Sequence, residues 1–272
     1  MKLRRFSQET QSLLSRADDQ CVHLAPFPHI VIDNALDIEL AEELAKTHPG
    51  RFLVDRESPT SNVRRNLGPL EIVGSSKVSD TWKRFVEYHS GVEWLNEVAT
   101  ILRPFLPHSL ARYLAEIQSE LETLKLNGDP IPSDLIDITC QISWTTPVVE
   151  ASSVRGMHLD NAKKIFAGLY YLRILDDDSF GGDLQLGKWN SLIPSQVRHV
   201  VYREGVKRLH KVSEVIPYKF NNLVLFPNSV NALHAVTART PTLHPRCFVY
   251  VSASLPNARY LKLKKKRSSI VG

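Results

Sequence analysis

Ile136-Asp137-Ile138-Thr139-Cys140-Gln141-Ile142 is where the chain changes period. Apolar residues at 138, 140 and 142 alternate with polar ones, which places them on one face of an extended strand. Upstream, the spacing is helical. Residues 80–126 carry apolar side chains at three- and four-residue intervals, broken by Pro104 and Pro107. Within that block Leu110, Leu114, Ile117, Leu121 and Leu124 make one stripe, the mark of a helix lying on a sheet. Downstream, short strand-like runs recur at 165–172, 183–186, 197–202, 222–226 and 247–254, separated by Gly, Pro, Asn and Asp clusters. Helices first and many short strands after predict an α+β, mainly β, architecture, either a sheet sandwich or an open barrel with helices packed outside.

Working toward the N-terminus, Pro26-Phe27-Pro28-His29-Ile30-Val31-Ile32-Asp33 reads as a short apolar strand. Residues 36–47 follow with helical spacing, stopped by Pro49-Gly50. Residues 5–20 are expected to form an amphipathic helix, with Phe6, Leu13 and Leu14 on one face. Residues 51–69 read as a polar loop. Its Arg56, Arg64 and Arg65 suit a solvated loop, with contact to an acidic group as the sharper alternative.

A chain of 272 residues, 43% of them hydrophobic, can bury one large core, so a single domain over 1–272 is expected. Cys21, Cys140 and Cys247 lie far apart. They suggest neither a disulfide framework nor a zinc site, and point to a reducing compartment. The basic N-terminus is followed by Glu9, Asp18 and Asp19 rather than an apolar run, and no stretch approaches the ~18 apolar residues of a membrane helix. A soluble, cytoplasmic protein without membrane insertion is expected. The net charge of +5 is local: Lys262, Lys264, Lys265, Lys266 and Arg267 carry it in a basic tail over 260–272. No aromatic residues are interleaved with them as stacking platforms, so nucleic acid is not an expected partner. Nothing in the sequence fixes an oligomeric state.

The chemistry centres on Gly156-Met157-His158-Leu159-Asp160. On an extended backbone, side chains two apart point the same way, so His158 and Asp160 can offer an imidazole and a carboxylate to one ion. The best third ligand is His234, shortly after the apolar run that ends in Phe226-Pro227-Asn228. Two histidines and one carboxylate cover one face of an octahedron and leave three positions open, the arrangement of non-haem iron(II) oxygenation.

With its surroundings, this triad resembles the 2-oxoglutarate/iron(II)-dependent dioxygenases, especially their prolyl-hydroxylase-like branch. The residues that carry the resemblance are HLD at 158–160, YYL at 170–172, GGDL at 181–184, LFPN at 225–228, HAV at 234–236 and Arg246, with PFPHIVIDNAL at 26–36 upstream. The resemblance covers 26–36 and 138–256; the block 80–126 matches no motif of the family. It implies a double-stranded β-helix, or jelly roll, over 138–256, with helices outside and an N-terminal extension over 1–25. It implies Fe(II) held by His158, Asp160 and His234, 2-oxoglutarate as cosubstrate, and ascorbate as a stimulant. Arg246 matches the cation that holds the C5 carboxylate, with Arg239 as competitor, and Tyr171 matches a tyrosine that helps hold the same carboxylate. By strand alternation Tyr170 then faces the other way. Asn161 and Trp189 are weaker candidates for contact with the substrate.

The implied reaction oxidises the substrate with release of succinate and carbon dioxide. Asp160 favours hydroxylation over halogenation, since halogenases of the family carry a small residue there. The segment between GGDL and FPN is long for the family. Extra chain over 80–126 and 187–218 is expected near the mouth, and a lid there favours a small-molecule or carrier-bound substrate. The alternatives are a protein hydroxylase acting on a peptidyl residue and a jelly-roll binding module without turnover.

Overall fold

The computed structural model describes residues 11–52, 61–127, 132, 135–190, 193 and 209–256. Among these, β1 (Val22–His23) and β2 (His29–Asp33) lead into α1 (Ile38–Lys46), then β3 (Arg64–Leu67) and α2 (Pro69–Val73). Three longer helices follow: α3 (Asp80–His89), α4 (Val92–Leu102) and α5 (His108–Asn127). The remaining strands are β4 (Asp137–Thr145), β5 (Lys164–Tyr171), β6 (Leu184–Trp189), β7 (His210–Ile216), β8 (Asn222–Pro227), β9 (Leu233–Val236) and β10 (Arg246–Ser254).

The strands form two antiparallel sheets, ordered β1-β2-β8-β5-β10-β4-β3 and β7-β6-β9. Their pairing is nested. β4 pairs with β10, the chain at His158 bridges to His234 in β9, β5 pairs with β8, and β6 pairs with β7. First thus meets last and each inner pair closes within the outer one, while β10–β5 and β6–β9 join the pairs side by side. An eight-stranded antiparallel ribbon folded this way is a jelly roll. The expected α+β, mainly β architecture is therefore present, and it is the pairing that makes it a double-stranded β-helix.

The large sheet is covered on both faces, which explains why β5, β8 and β10 are almost continuously apolar rather than alternating. Its outer face packs on the helices: Cys140, Ile142, Tyr170 and Val249 share a cluster with Trp82, Phe85, Trp94 and Leu114. Its inner face packs on the small sheet: Tyr171, Phe226 and Phe248 meet Leu184, Leu186 and Ile216. Tyr170 and Tyr171 thus face opposite ways, as alternation requires. The helical block 80–126 lies behind the large sheet. This corrects the expectation that it contributes to the mouth: its apolar stripes are spent on the sheet's outer face.

Two further expectations change. In the described part of 5–20, residues 11–21 form turns and a 3-10 turn at Asp19–Cys21, not an α-helix. Leu13 and Leu14 are nevertheless buried. This segment is held by single polar contacts: the Leu13 amide donates to His89 Nε2 at 3.1 Å, and Ser12 Oγ donates to the buried Glu97 carboxylate. Residues 51–69 are not all loop, since Arg64–Leu67 adds β3 to the edge beside β4. An edge strand needs only backbone pairing, and polar side chains are usual there, so no apolar alternation announced it. The expected strand at 197–202 and most of the long segment 187–218 lie outside the described residues, although β7 at its end pairs with β6. No helix among the described residues is long and apolar enough to cross a membrane.

Candidate metal centre and its cavity

The nested pairing brings the three expected ligands together. His158 sits where its backbone exchanges hydrogen bonds with His234 at 2.9 and 3.0 Å, so the two imidazoles face the same interior space from adjacent strands. Their ring centroids are 4.1 Å apart. Asp160, two residues on, turns inward with its side chain 6% exposed, and its Oδ1 is 3.9 Å from His158 Nε2. One ligand atom from each of His158, Asp160 and His234 lies within 4.8 Å of the others.

Each imidazole has its Nδ1 2.9 Å from a backbone carbonyl two residues earlier, Gly156 for His158 and Ala232 for His234. A carbonyl only accepts, so Nδ1 carries the proton and Nε2 presents a lone pair to the centre. Fixing the tautomer through the far nitrogen is how metal-ligating histidines are oriented. Burial, reinforced by the fields of His234 and Arg155, pushes His158 down to about 3. Burial also lowers His234. Burial alone would raise the Asp160 carboxyl, but the fields of His234, Lys164, His158 and Arg155 outweigh it and hold the group below its usual value. Lys164 Nζ lies 3.5 Å from Asp160 Oδ2 and donates to the Tyr250 hydroxyl. Near neutral pH the centre is thus two neutral imidazoles and one carboxylate, the charge state a divalent cation requires.

The triad opens into a cavity of about 270 Å³, whose polar lining includes Arg64, Thr145, Arg155, Lys164 and Arg246. Arg246, 2% exposed at the start of β10, donates from Nε to the Gly182 carbonyl at 2.8 Å. Its guanidinium lies about 5 Å from the centroids of the Tyr171, Tyr218 and Phe248 rings. Its Nη2 is buried with no hydrogen-bonding partner. Gly181 and Gly182 explain the glycine pair: both have positive φ, and a Cβ on Gly181 would come within 1.9 Å of the Ala238 carbonyl oxygen.

The competitor Arg239 is engaged elsewhere. Its Nη2 meets Asp177 Oδ2 at 2.9 Å and its Nε donates to Ser179 Oγ at 2.8 Å. Tyr171 lies against Arg246, its buried hydroxyl without a hydrogen-bonding partner. Burial pushes this phenol up, opposed by the Arg246 charge. Asn161 and Trp189 do not line the cavity. Asn161 Oδ1 accepts from the Lys163 amide within its own turn, and the buried Trp189 indole donates to the Val230 carbonyl at 2.7 Å. Sequence reasoning missed Thr145, Arg155 and Lys164. Alternation along β4 could have turned Thr145 inward, but only the pairing register places it beside Arg246.

No protein-family model matches the chain, and no curated protein matches it. Among solved structures it is similar to a prolyl-4-hydroxylase of Pseudomonas putida, at 11% identity over 83% of this chain and 91% of that one, TM-score 0.44. It is also similar to a Phytophthora capsici prolyl 4-hydroxylase, at 18% identity over 83% of this chain and 58% of that one, TM-score 0.46. A third is SnoN, a non-haem α-ketoglutarate-dependent epimerase of nogalamycin biosynthesis, at 16% identity over 83% and 76%, TM-score 0.43. At these values the likeness assigns no activity; the residues of the cavity must do so.

Proposed function

We propose that the chain is an iron(II)- and 2-oxoglutarate-dependent oxygenase that hydroxylates an unactivated C–H bond of a small-molecule or carrier-bound substrate, with release of succinate and carbon dioxide. One observation carries the reading: two neutral imidazoles with free Nε2 lone pairs and one ionised carboxylate converge within 4.8 Å at the mouth of a jelly roll. That donor set leaves positions open on the metal, as oxygenation by non-haem iron requires.

Residue roles follow from the geometry. His158, Asp160 and His234 would hold the metal, with the Gly156 and Ala232 carbonyls keeping each imidazole in the ligating tautomer. Lys164 would hold the second oxygen of Asp160. Arg246 is the anchor for the distal carboxylate of the cosubstrate, because its buried Nη2 lacks a partner and a planar fork suits a carboxylate. Tyr171, buried against Arg246 and outside the cavity wall, would add its hydroxyl to the same group. Ala167, Leu169, Leu184 and Phe226 line the cavity with apolar surface that excludes water from the reacting atoms. When bound, iron(II) and 2-oxoglutarate with oxygen supply the two-electron oxidation that inserts one oxygen atom into the C–H bond.

The test is anaerobic titration with iron(II) and 2-oxoglutarate, followed by optical absorption and calorimetry. A visible charge-transfer band should appear only when both are present. Asp160→Ala removes the only anionic ligand and should weaken metal binding well over tenfold. Wild-type metal affinity in that variant would sink the assignment.

A further inference from the structure

The cavity holds more positive charge than iron and one cosubstrate consume. Arg64, Arg155, Lys164 and Arg246 line it, against the single carboxylate of Asp160. With the oxygenase reading as premise, Asp160 and the C1 carboxylate offset a divalent metal, and the C5 carboxylate offsets Arg246. Lys164 lies against Asp160, whose charge the metal already takes. Lys164, Arg64 and the exposed Arg155 therefore remain in excess, and among the described residues neither arginine has a salt-bridge partner.

The register shows where Arg64 stands. Arg64 of β3 is paired with Thr145 of β4, and Thr145 with Arg246 of β10. Residues directly opposite in antiparallel strands share a face, so Arg64, Thr145 and Arg246 form one row across the inner surface, with ~10 Å between the outer two at the usual strand spacing. Arg65, the next residue, is exposed on the other side. The Arg64 guanidinium lies 4.8 Å from the Tyr250 ring centroid and 5.4 Å from that of Phe248. Stacking fixes its plane but uses none of its N–H donors. Its Nε and the Thr145 hydroxyl are both buried without a hydrogen-bonding partner. Two orphaned donors on paired residues of one face, one of them cationic, suit a planar or tetrahedral oxyanion.

We propose that Arg64 and Thr145 form a second oxyanion site, distinct from the Arg246 anchor, and that the substrate carries a carboxylate or phosphate group that docks there. The oxidised carbon then lies between that group and the metal centre. This narrows the substrate from any small molecule to a small anion. It also gives the strand β3, added to the sheet edge, a purpose that packing alone does not.

The test uses the full chain loaded anaerobically with manganese(II) and 2-oxoglutarate, and three probes of one skeleton: phenylacetate, phenyl phosphate and phenylacetamide. Calorimetry should show at least one anion binding ten or more times tighter than the neutral amide, and the better of the two identifies the group. Arg64→Gln should bring that anion to the level of the amide, Arg64→Lys should recover part of the difference, and Thr145→Val should cost a few-fold. In Arg64→Gln, 2-oxoglutarate affinity and melting temperature should stay as in wild type. Equal binding of all three probes by the wild-type protein overturns the proposal. So does a loss of 2-oxoglutarate affinity in Arg64→Gln as large as in Arg246→Ala, which would make Arg64 part of the cosubstrate anchor. Failure to take up manganese and 2-oxoglutarate would count instead against the oxygenase reading. The same probes on metal-free protein would then decide the anion site: Arg64-dependent discrimination upholds it, and its absence overturns it.

Discussion

Two arginines, seven residues apart and both fully enclosed, end in opposite states. Arg239 has its counter-charge: Asp177 faces it, Ser179 accepts from it, and the Ser179 amide and hydroxyl hold Asp177 in turn, with only Nη1 buried unpartnered. Arg246 meets one backbone carbonyl and three aromatic rings, and among the described residues no carboxylate. A buried charge without its counter-charge is costly, so the state of Arg246 fits the anion anchor proposed for it, whereas Arg239 is offset by Asp177. The difference turns a choice between two candidates into a statement about which guanidinium, among the described residues, faces no carboxylate.

The largest expected effect falls on the scaffold. Asp177→Ala strands the Arg239 guanidinium, and breaking a buried pair from one side costs ~3–5 kcal/mol. Denaturant unfolding should show that loss, while the folded fraction binds 2-oxoglutarate within about twofold of wild type. If cosubstrate affinity falls instead, Arg239 is not purely structural. The complementary change is Arg246→Ala. It removes no counter-ion partner, so stability should fall far less, yet 2-oxoglutarate binding should weaken by ~2–5 kcal/mol, upward of about 30-fold. Arg246→Lys should recover only part, because the fork is lost. An unchanged requirement for 2-oxoglutarate breaks the comparison.

The same contrast between satisfied and waiting groups appears in the histidines. His89 has both nitrogens occupied, Nδ1 donating to the Phe85 carbonyl and Nε2 accepting from the Leu13 amide, so it must be neutral in the fold. Burial pushes it down to about 4. Its folded value lies below its unfolded one, so the unfolded chain binds the extra proton first. Its contribution to stability is complete above about 6.5 and is lost as pH falls toward 4, by up to ~1.4 kcal/mol per pH unit. Protonation also removes the acceptor for Leu13, so amide exchange across residues 12–14 should rise in the same window. A variant His89→Gln should flatten the slope; an unchanged slope would place the acid sensitivity in the other histidines that burial lowers, His48 and His158, both to about 3, and His234.

How much of this was legible in the sequence depends on range. His158 and Asp160 could be read because two-residue alternation is local, and the stripe of α5 because helical period is local. The glycines at 181 and 182 stood out because few other residues tolerate their backbone conformation. Arg64 could not be placed, since its orientation depends on pairing with Thr145, 81 positions away. Nor could the position of the block 80–126: its apolar stripes show that it packs on something, but not on which face of the sheet. The described part of 5–20 misled because Leu13 and Leu14 have a helical look, while polar contacts to His89 and Glu97 from distant helices hold the backbone there in turns instead.

The smallest effect is the most discriminating for the waiting arginine. Tyr171 sits on the inner face with its hydroxyl buried and unpartnered beside Arg246, while Tyr170, one residue earlier, faces the helices with its hydroxyl bonded to Asn221 at 2.9 Å. If the Tyr171 hydroxyl waits for the cosubstrate as Arg246 does, Tyr171→Phe removes a group that is unsatisfied in the free protein. The variant should be no less stable, because the desolvation of that hydroxyl is no longer incurred. Its 2-oxoglutarate affinity should fall by ~0.5–1.5 kcal/mol, the net worth of one hydrogen bond. Tyr170→Phe should do the reverse, losing stability by a similar amount with cosubstrate binding intact. If both variants lose stability and neither loses affinity, Tyr171 is a core aromatic only, and Arg246 holds the carboxylate without it.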